Sequence, residues 1–312
     1  MSTMFELMVV ENDHQLAQSA AYKIFQKVDR LEEMFSRFLD ASEVSQIRQL
    51  KPGQTLRVSR EMIDILLVAS EICAATQGAF DVTIGTIMNV LREVKHRWAA
   101  LTPEEREGAL AACGMNRLII DRENFLIAVK PDHLGNDTPL ELDFGAIGKG
   151  YALDVACDML INNDEWGFEN FLIHGGTSTV VARGSMGDGM EGWPVGVCGD
   201  WKKRAGFDAI RLKDMAISGS GFEEQGTHIV DVRKGVAAVR HGAAWASAPT
   251  AAMSDGLSTS FLGMTWREIK TTCDVLDGCG ALVAREQPEW MDKLRTPVRK
   301  YRFAEKASRE RE

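Results

Sequence analysis

The stretch that most restricts how this chain can fold is Leu142-Asp143-Phe144-Gly145-Ala146-Ile147-Gly148-Lys149-Gly150-Tyr151-Ala152-Leu153-Asp154. An apolar run ends in an acid. Gly145, Gly148 and Gly150 then permit a tight backbone turn, and an amphipathic helix follows with Val155, Met159 and Leu160 on its apolar side. Glycine also lets backbone approach a ligand closely. The free N–H groups of a helix start attract anions, and Lys149 inside the turn adds a positive charge, so the segment reads as a phosphate cradle. Its spacing matches neither the dinucleotide fingerprint nor the Walker loop. A glycine-rich strand-to-helix turn with a solvated lysine is the alternative reading of the same residues.

The chain has 312 residues, enough for one large domain or two intimately packed ones. A formal net charge of −9, with no lysine- or arginine-rich block, disfavours nucleic-acid binding. A polyanionic ligand would therefore need a local cation, either a lysine or a metal ion. The six cysteines form no C-x-x-C pair, which points to buried reduced thiols rather than a zinc site or a disulfide framework. Residues 1–12 contain Glu6 and Glu11 and no basic region before a long apolar core, and no run reaches membrane-spanning length. A cytoplasmic location is the expectation, with no signal peptide or lipobox.

Met4 to Val10 reads as a first strand. Asn12 and Asp13 can cap a helix to about Phe38, with Ala17, Ala21, Ile24, Val28, Leu31, Phe35 and Phe38 at steps of three and four. Ser42 caps a short helix through Leu50, and a further helix spans roughly Glu61 to Thr76. Thr102-Pro103-Glu104-Glu105 starts a helix ending near Gly114. Arg117–Ile120, Phe125–Val129 and Leu140–Phe144 read as an antiparallel meander delivering the chain to the glycine turn. After a helix over 150–162, strands are expected at Asn170–Ile173, Ser178–Ala182, Trp193–Val197, Ala209–Leu212, Met215 onward, His228 onward, Ala243–Ala248 and Gly280–Arg285. Helices are expected from Ala251 to about Leu262 and over Trp266–Thr272. No linker divides the chain, so residues 1–304 are expected as one domain of two subdomains sharing a core, with a disordered polar tail at 305–312.

Asp81 lies inside the apolar segment Gly78-Ala79-Phe80-Asp81-Val82-Thr83. A carboxylate among apolar neighbours is costly unless hydrogen-bonded, so it either caps a nearby loop or helix or accepts a ligand's donors. Asp255 and Thr259 lie four apart on one helix face and offer hard oxygens that suit magnesium; a solvated or capping pair is the plainer reading. His228 opens an apolar strand, where an imidazole serves either as a structural hydrogen-bonding group or as a general base. No G-x-S-x-G elbow is present.

These motifs, in this order, resemble the ApbE family of FAD:protein FMN transferases. The most specific parts are the 78–83 and 142–154 segments, Ile217-Ser218-Gly219 with His228-Ile229-Val230-Asp231, and Asp255-Gly256-Leu257-Ser258-Thr259. The resemblance runs from about Met4 to about Arg285. It implies an α+β fold with mixed, largely antiparallel sheets flanked by helices, of the T-fold-like kind. It implies magnesium-dependent transfer of FMN from FAD to a serine or threonine of an acceptor protein, with release of AMP. It places the metal on the Ala146 carbonyl, Asp255 and Thr259. Phe38 (where a tyrosine is usual), Ala79, Phe80, Asp81, Asp143, Lys149 and Ile229 would line the FAD site, and His228 would lie by the reacting phosphate. Asp231-Val232-Arg233-Lys234-Gly235 departs from the usual Asp-Pro-Arg-Thr-Gly turn, and Gly148 stands where alanine is common. Two rivals share these residues: a magnesium-dependent FAD pyrophosphatase with water as acceptor, and a non-catalytic flavin-binding protein.

Overall fold

The structure, a computed structural model, describes residues 3–94, 98–163, 165–187, 189–197, 208–221, 230–233, 236–237, 240–284 and 301–305. Strand β1 (Phe5–Val9) leads into helix α1 (His14–Phe35), whose first N–H groups, those of Gln15 and Leu16, bond to the Asp13 carboxylate. Ala20, Ile24, Val28, Leu31 and Phe35 form its buried stripe. The helix stops at Phe35 because Ser36 is extended. Phe38, expected to continue the stripe, is instead 69% exposed.

Ser42 caps α2 (Glu43–Arg48) through the Ser45 N–H. Strand β2 (Thr55–Arg57) precedes α3 (Arg60–Ala75), which Ser59 caps. Helix α4 (Gly85–Glu93) has no side-chain cap, and the Gly85 N–H is taken by the distant Glu141 carbonyl. Nothing local marks that start, which is why periodicity misses it. Helix α5 (Pro103–Ala111) opens on a Thr102–Glu105 capping box.

Strands β3 (Leu118–Asp121) and β4 (Leu126–Val129) pair as expected, but their third partner is β2 and not the 140–144 stretch. That stretch does alternate, with Leu140, Leu142 and Phe144 buried. It forms no ladder because the Glu141 carbonyl goes to Gly85 and the Asp143 N–H goes to the Val82 carbonyl. Alternation reports burial on one side, and the pairing is decided elsewhere.

The remaining elements are α6 (Gly148–Ile161), β5 (Phe171–Gly175), β6 (Thr179–Arg183), β7 (Trp193–Val197), β8 (Asp208–Leu212), β9 (Met215–Gly221), β10 (Val230–Asp231), β11 (Val236–Ala237), β12 (Ala243–Ala248), α7 (Ala251–Phe261), α8 (Trp266–Val275), β13 (Gly280–Ala284) and β14 (Tyr301–Glu305). Among the described residues an antiparallel seven-stranded sheet runs β1-β5-β6-β9-β12-β13-β14. Glu305, expected in the tail, ends β14; residues 306–312 lie outside the described residues.

Strand alternation sorts the sheet's two faces. Phe171, Ile173, Val181 and Ala216 pack with Leu153, Cys157 and Leu160 of α6 and with Ile24 of α1. Leu172, Ala182 and Ile217 point the other way, under Trp193, Val197 and Leu212 of the β7–β8 hairpin. Ala244, Ala246 and Ala248 of β12 share a core with Leu257 and Phe261 of α7. Each fully buried Leu, Ile or Phe contributes roughly 1.5–3 kcal/mol over its exposed state. The fold is α+β. Cys113, Cys157, Cys273 and Cys279 are buried free thiols, as expected, Cys73 is half-buried, and Cys198 lies outside the described residues. Among the described residues no helix is long and apolar enough to cross a membrane.

Candidate functional site

The site is built where the starts of α6 and α7 meet. Thr250 caps α7 through the Met253 N–H at 3.3 Å. The two preceding N–H groups, of Ala251 and Ala252, donate to the Asp154 carboxylate of α6 at 2.7 and 2.8 Å. In return, α6 starts without a side-chain cap of its own, and its Gly150 N–H donates to Asp255 Oδ2 of α7 at 3.1 Å. Each helix thus supplies a carboxylate to the other's first turn, where the helix dipole favours negative charge. Two segments about a hundred residues apart are locked in register.

Asp255 is 2% exposed. Lys149 Nζ lies 3.3 Å from both of its oxygens, and Thr179 Oγ1 donates to Oδ1 at 3.2 Å. Thr259 follows one turn along α7, its Oγ1 3.1 Å from Ser220 Oγ on β9. Further hydroxyl pairs, Ser218 with Ser254 at 2.7 Å and Ser220 with Ser258 at 2.9 Å, join β9 to α7. The N–H that would follow the Ala146 carbonyl in a helix is that of Gly150, which is turned to Asp255. Among the described residues the Ala146 carbonyl accepts no hydrogen bond.

A second group flanks the glycine turn. Asp143 Oδ1 accepts from the Gly145 N–H at 2.8 Å, and Oδ2 pairs with Arg37. Arg37 also reaches Asn89 at 2.6 Å; Asn89 bonds Glu141, and Arg48 lies 3.4 Å from the same carboxylate. Phe38 stands at this rim with the guanidinium carbons of Arg37 and Arg92 5.4 and 5.1 Å from its ring centre. Ala79 is partly buried, and Phe80 is a core residue whose ring lies against Gly256 of α7.

The Asp81 carboxylate is turned inward. Thr83 donates through its N–H at 2.7 Å and its hydroxyl at 2.6 Å, and the Met115 N–H donates at 3.1 Å. Those are the contacts of a loop cap, the first of the two alternatives open for this residue. Burial holds its carboxyl above the usual range, outweighing these donors. His228 and Ile229 lie outside the described residues. Just beyond them, Arg233 donates to buried Asp231 at 2.9 and 2.8 Å and to Glu268 at 2.9 Å, which ties this segment to α8.

Of the residues the sequence singles out, Lys149 is in contact with Asp255, and Thr259 sits one turn on. Thr179, Ser220 and Asp154 join them as partners that the sequence does not single out. Two signals are present: an acid, Asp154, flanked by the apolar Leu153 and Val155 on α6, and serines two apart on β9 facing serines four apart on α7. Neither signal identifies its partner without the fold.

Asp154 carries a pH prediction. Burial pushes its carboxyl from 3.8 up to about 7, against the pull of the two N–H donors. The folded state therefore keeps a proton that the unfolded chain releases, and stability from this group falls as pH rises from about 4 to about 7, then levels. The full effect is roughly 2–4 kcal/mol. Melting curves of the wild type and Asp154→Asn between pH 4 and 8 should converge or cross as pH rises, the wild type losing ground. Parallel curves would show that the two donors keep Asp154 ionised throughout.

A family model described as the ApbE family matches residues 1–283. A protein of Klebsiella pneumoniae (strain 342) named FAD:protein FMN transferase is 25% identical over 278 residues, covering 84% of this chain and 76% of the relative. One of the same name from Salmonella typhimurium is 27% identical over 281 residues, with the same coverage of 84% and 76%. Among solved structures, the flavin transferase ApbE from Vibrio cholerae superposes with a TM-score of 0.76 at 21% identity, over 99% of this chain and 95% of that one. The ApbE protein from Thermotoga maritima does so with 0.74 at 25% identity, over 93% and 95%.

Proposed function

The chain belongs to the ApbE family, and on that footing we propose that it transfers FMN from FAD to a serine or threonine hydroxyl of an acceptor protein, releasing AMP. The relatives' shared name supports the reaction class. The observation that carries the local chemistry is the buried Asp255 held against Lys149 and the first turn of α6. It sets a carboxylate, an ammonium and a helix N-terminus in one place, as a diphosphate with a counter-cation requires.

The residues fit a divalent cation. Asp255, the Thr259 hydroxyl and the Ala146 carbonyl, which accepts no hydrogen bond among the described residues, are all hard oxygen donors, which suits magnesium. Among the described residues no three or more His, Cys, Asp and Glu side chains could hold a metal together, so neutral oxygens would complete the set. When bound, the ion would supply Lewis-acid charge to the diphosphate's non-bridging oxygens. In the reaction the acceptor hydroxyl oxygen bonds to the FMN phosphorus as the phosphoanhydride bond to AMP breaks. AMP leaves with the bridging oxygen, and His228 is assigned the hydroxyl proton. Lys149 neutralises phosphate charge, the Asp143–Arg37 pair holds the glycine turn, and Phe38 offers an aromatic face at the rim. Positioning and electrostatics supply most of such a rate enhancement.

The test is incubation with FAD, magnesium and candidate acceptor proteins. A fluorescent protein band and an added FMN mass on a serine or threonine are expected. AMP released without an acceptor would assign the reaction to water and favour the pyrophosphatase. FAD bound with neither product would leave a binding protein.

A further inference from the structure

We propose that Lys149 is a removable occupant of the cation position on Asp255, so that a divalent cation and the dinucleotide's diphosphate enter together and neither takes full hold alone. This rests on the function proposed above and adds an order of events to it. Among the described residues the Asp255 carboxylate has three donors. Two belong to rigid elements: the Gly150 N–H in the first turn of α6 and the Thr179 hydroxyl on β6. The third, the Lys149 ammonium, rides on a flexible four-carbon stem, and its side chain is 22% exposed against 3% for that of Asp255.

The ammonium straddles the carboxylate at 3.3 Å from both oxygens, longer than the roughly 2.7–2.9 Å of a strong charge-assisted hydrogen bond. It balances the buried charge without being locked to it. A divalent cation arriving alone must either displace Lys149 or sit beside it, two positive charges sharing one carboxylate. Displacement into a site with no anion leaves the ammonium poorly paired. A diphosphate changes the balance, because it draws the ammonium off Asp255 and gives both cations a counter-charge. Lys149 thus acts first as the carboxylate's partner and then as the phosphate's.

The consequence is coupling between the two ligands, which must be reciprocal. In the wild type, FAD should tighten Mn2+ binding, and Mn2+ should tighten FAD binding by the same factor. Free Mn2+ is followed by electron paramagnetic resonance and FAD by fluorescence quenching. Lys149→Met keeps the stem and removes the charge. It should bind Mn2+ without FAD about tenfold more tightly than the wild type, the size of an ordinary site-to-site coupling. Its coupling factor should also shrink. Lys149→Arg retains a competing cation and should keep Mn2+ affinity near the wild-type value, which separates displacement from a change in fold. Unchanged or weaker Mn2+ binding by Lys149→Met, with wild-type binding of both ligands intact, would overturn the displacement alone. Failure of every form to bind Mn2+, with or without FAD, would remove the functional reading together with it.

Discussion

Asp255→Asn is expected to lower kcat/KM by about 10²–10⁴-fold, equivalent to several kcal/mol of lost transition-state stabilisation. The amide keeps the side chain's size and removes its charge. It also offers one acceptor oxygen where Lys149, the Gly150 N–H and the Thr179 hydroxyl now share two. One buried donor then faces an NH2 group, at a cost of roughly 1–3 kcal/mol in stability. The loss of turnover should persist well below the melting temperature, where the variant is folded, which separates chemistry from unfolding. Because the charge is needed for both the cation and Lys149, a fall in kcat is expected beside any rise in KM. Turnover within about threefold of the wild type in folded protein would move the reaction away from this carboxylate.

Gly150→Ala should be among the most damaging single-methyl changes at the described glycines. A Cβ at Gly150 would lie 2.2 Å from the Ala251 carbonyl oxygen, 2.5 Å from its carbon and 2.7 Å from Ala252 Cα. All three atoms are backbone of α7, held in place by Asp154, so no side chain can move aside. Either α6 and α7 separate or α6 loses its first turn. We expect a cost of about 3 kcal/mol or more, above the usual range for one overpacked methylene, and a melting temperature lower by about 5–10 °C. The same shift carries Lys149 and the Gly150 N–H away from Asp255, so dinucleotide affinity should fall with stability. Gly148→Ala, two residues earlier in the same helix, is the control. Its Cβ would meet only Phe144 Cβ at 3.6 Å, an ordinary contact, and the better helix propensity should stabilise by up to about 1 kcal/mol. Similar melting temperatures for the two variants would contradict the close approach of the helices.

Much of the architecture was open to reading residue by residue. Strands β7 and β12 fall where alternation and flanking turns placed them, and α1, α2 and α5 start on the capping residues expected of them. Errors fell where a local pattern had a distant cause. Residues 140–144 alternate like a strand, yet their backbone groups bond Gly85 and Val82. Helix α4 starts on the carbonyl of Glu141 and carries no cap of its own. Phe38 falls in step with the α1 stripe but lies past its end.

For the site, sequence alone selected the residue types and two anchor segments: the lysine in a glycine turn, and an aspartate and a threonine one helical turn apart. Those are properties of short spans, governed by steric freedom, helical period and donor chemistry. Tertiary structure decided the rest. Lys149 and Asp255 meet because Gly150 lacks a side chain and Asp154 clamps α7, and Asp81 turns inward because Thr83 and Met115 supply its donors. Whether a carboxylate faces a ligand or its own protein depends on which N–H and O–H groups the fold leaves beside it, and those groups come from parts of the chain far apart in sequence.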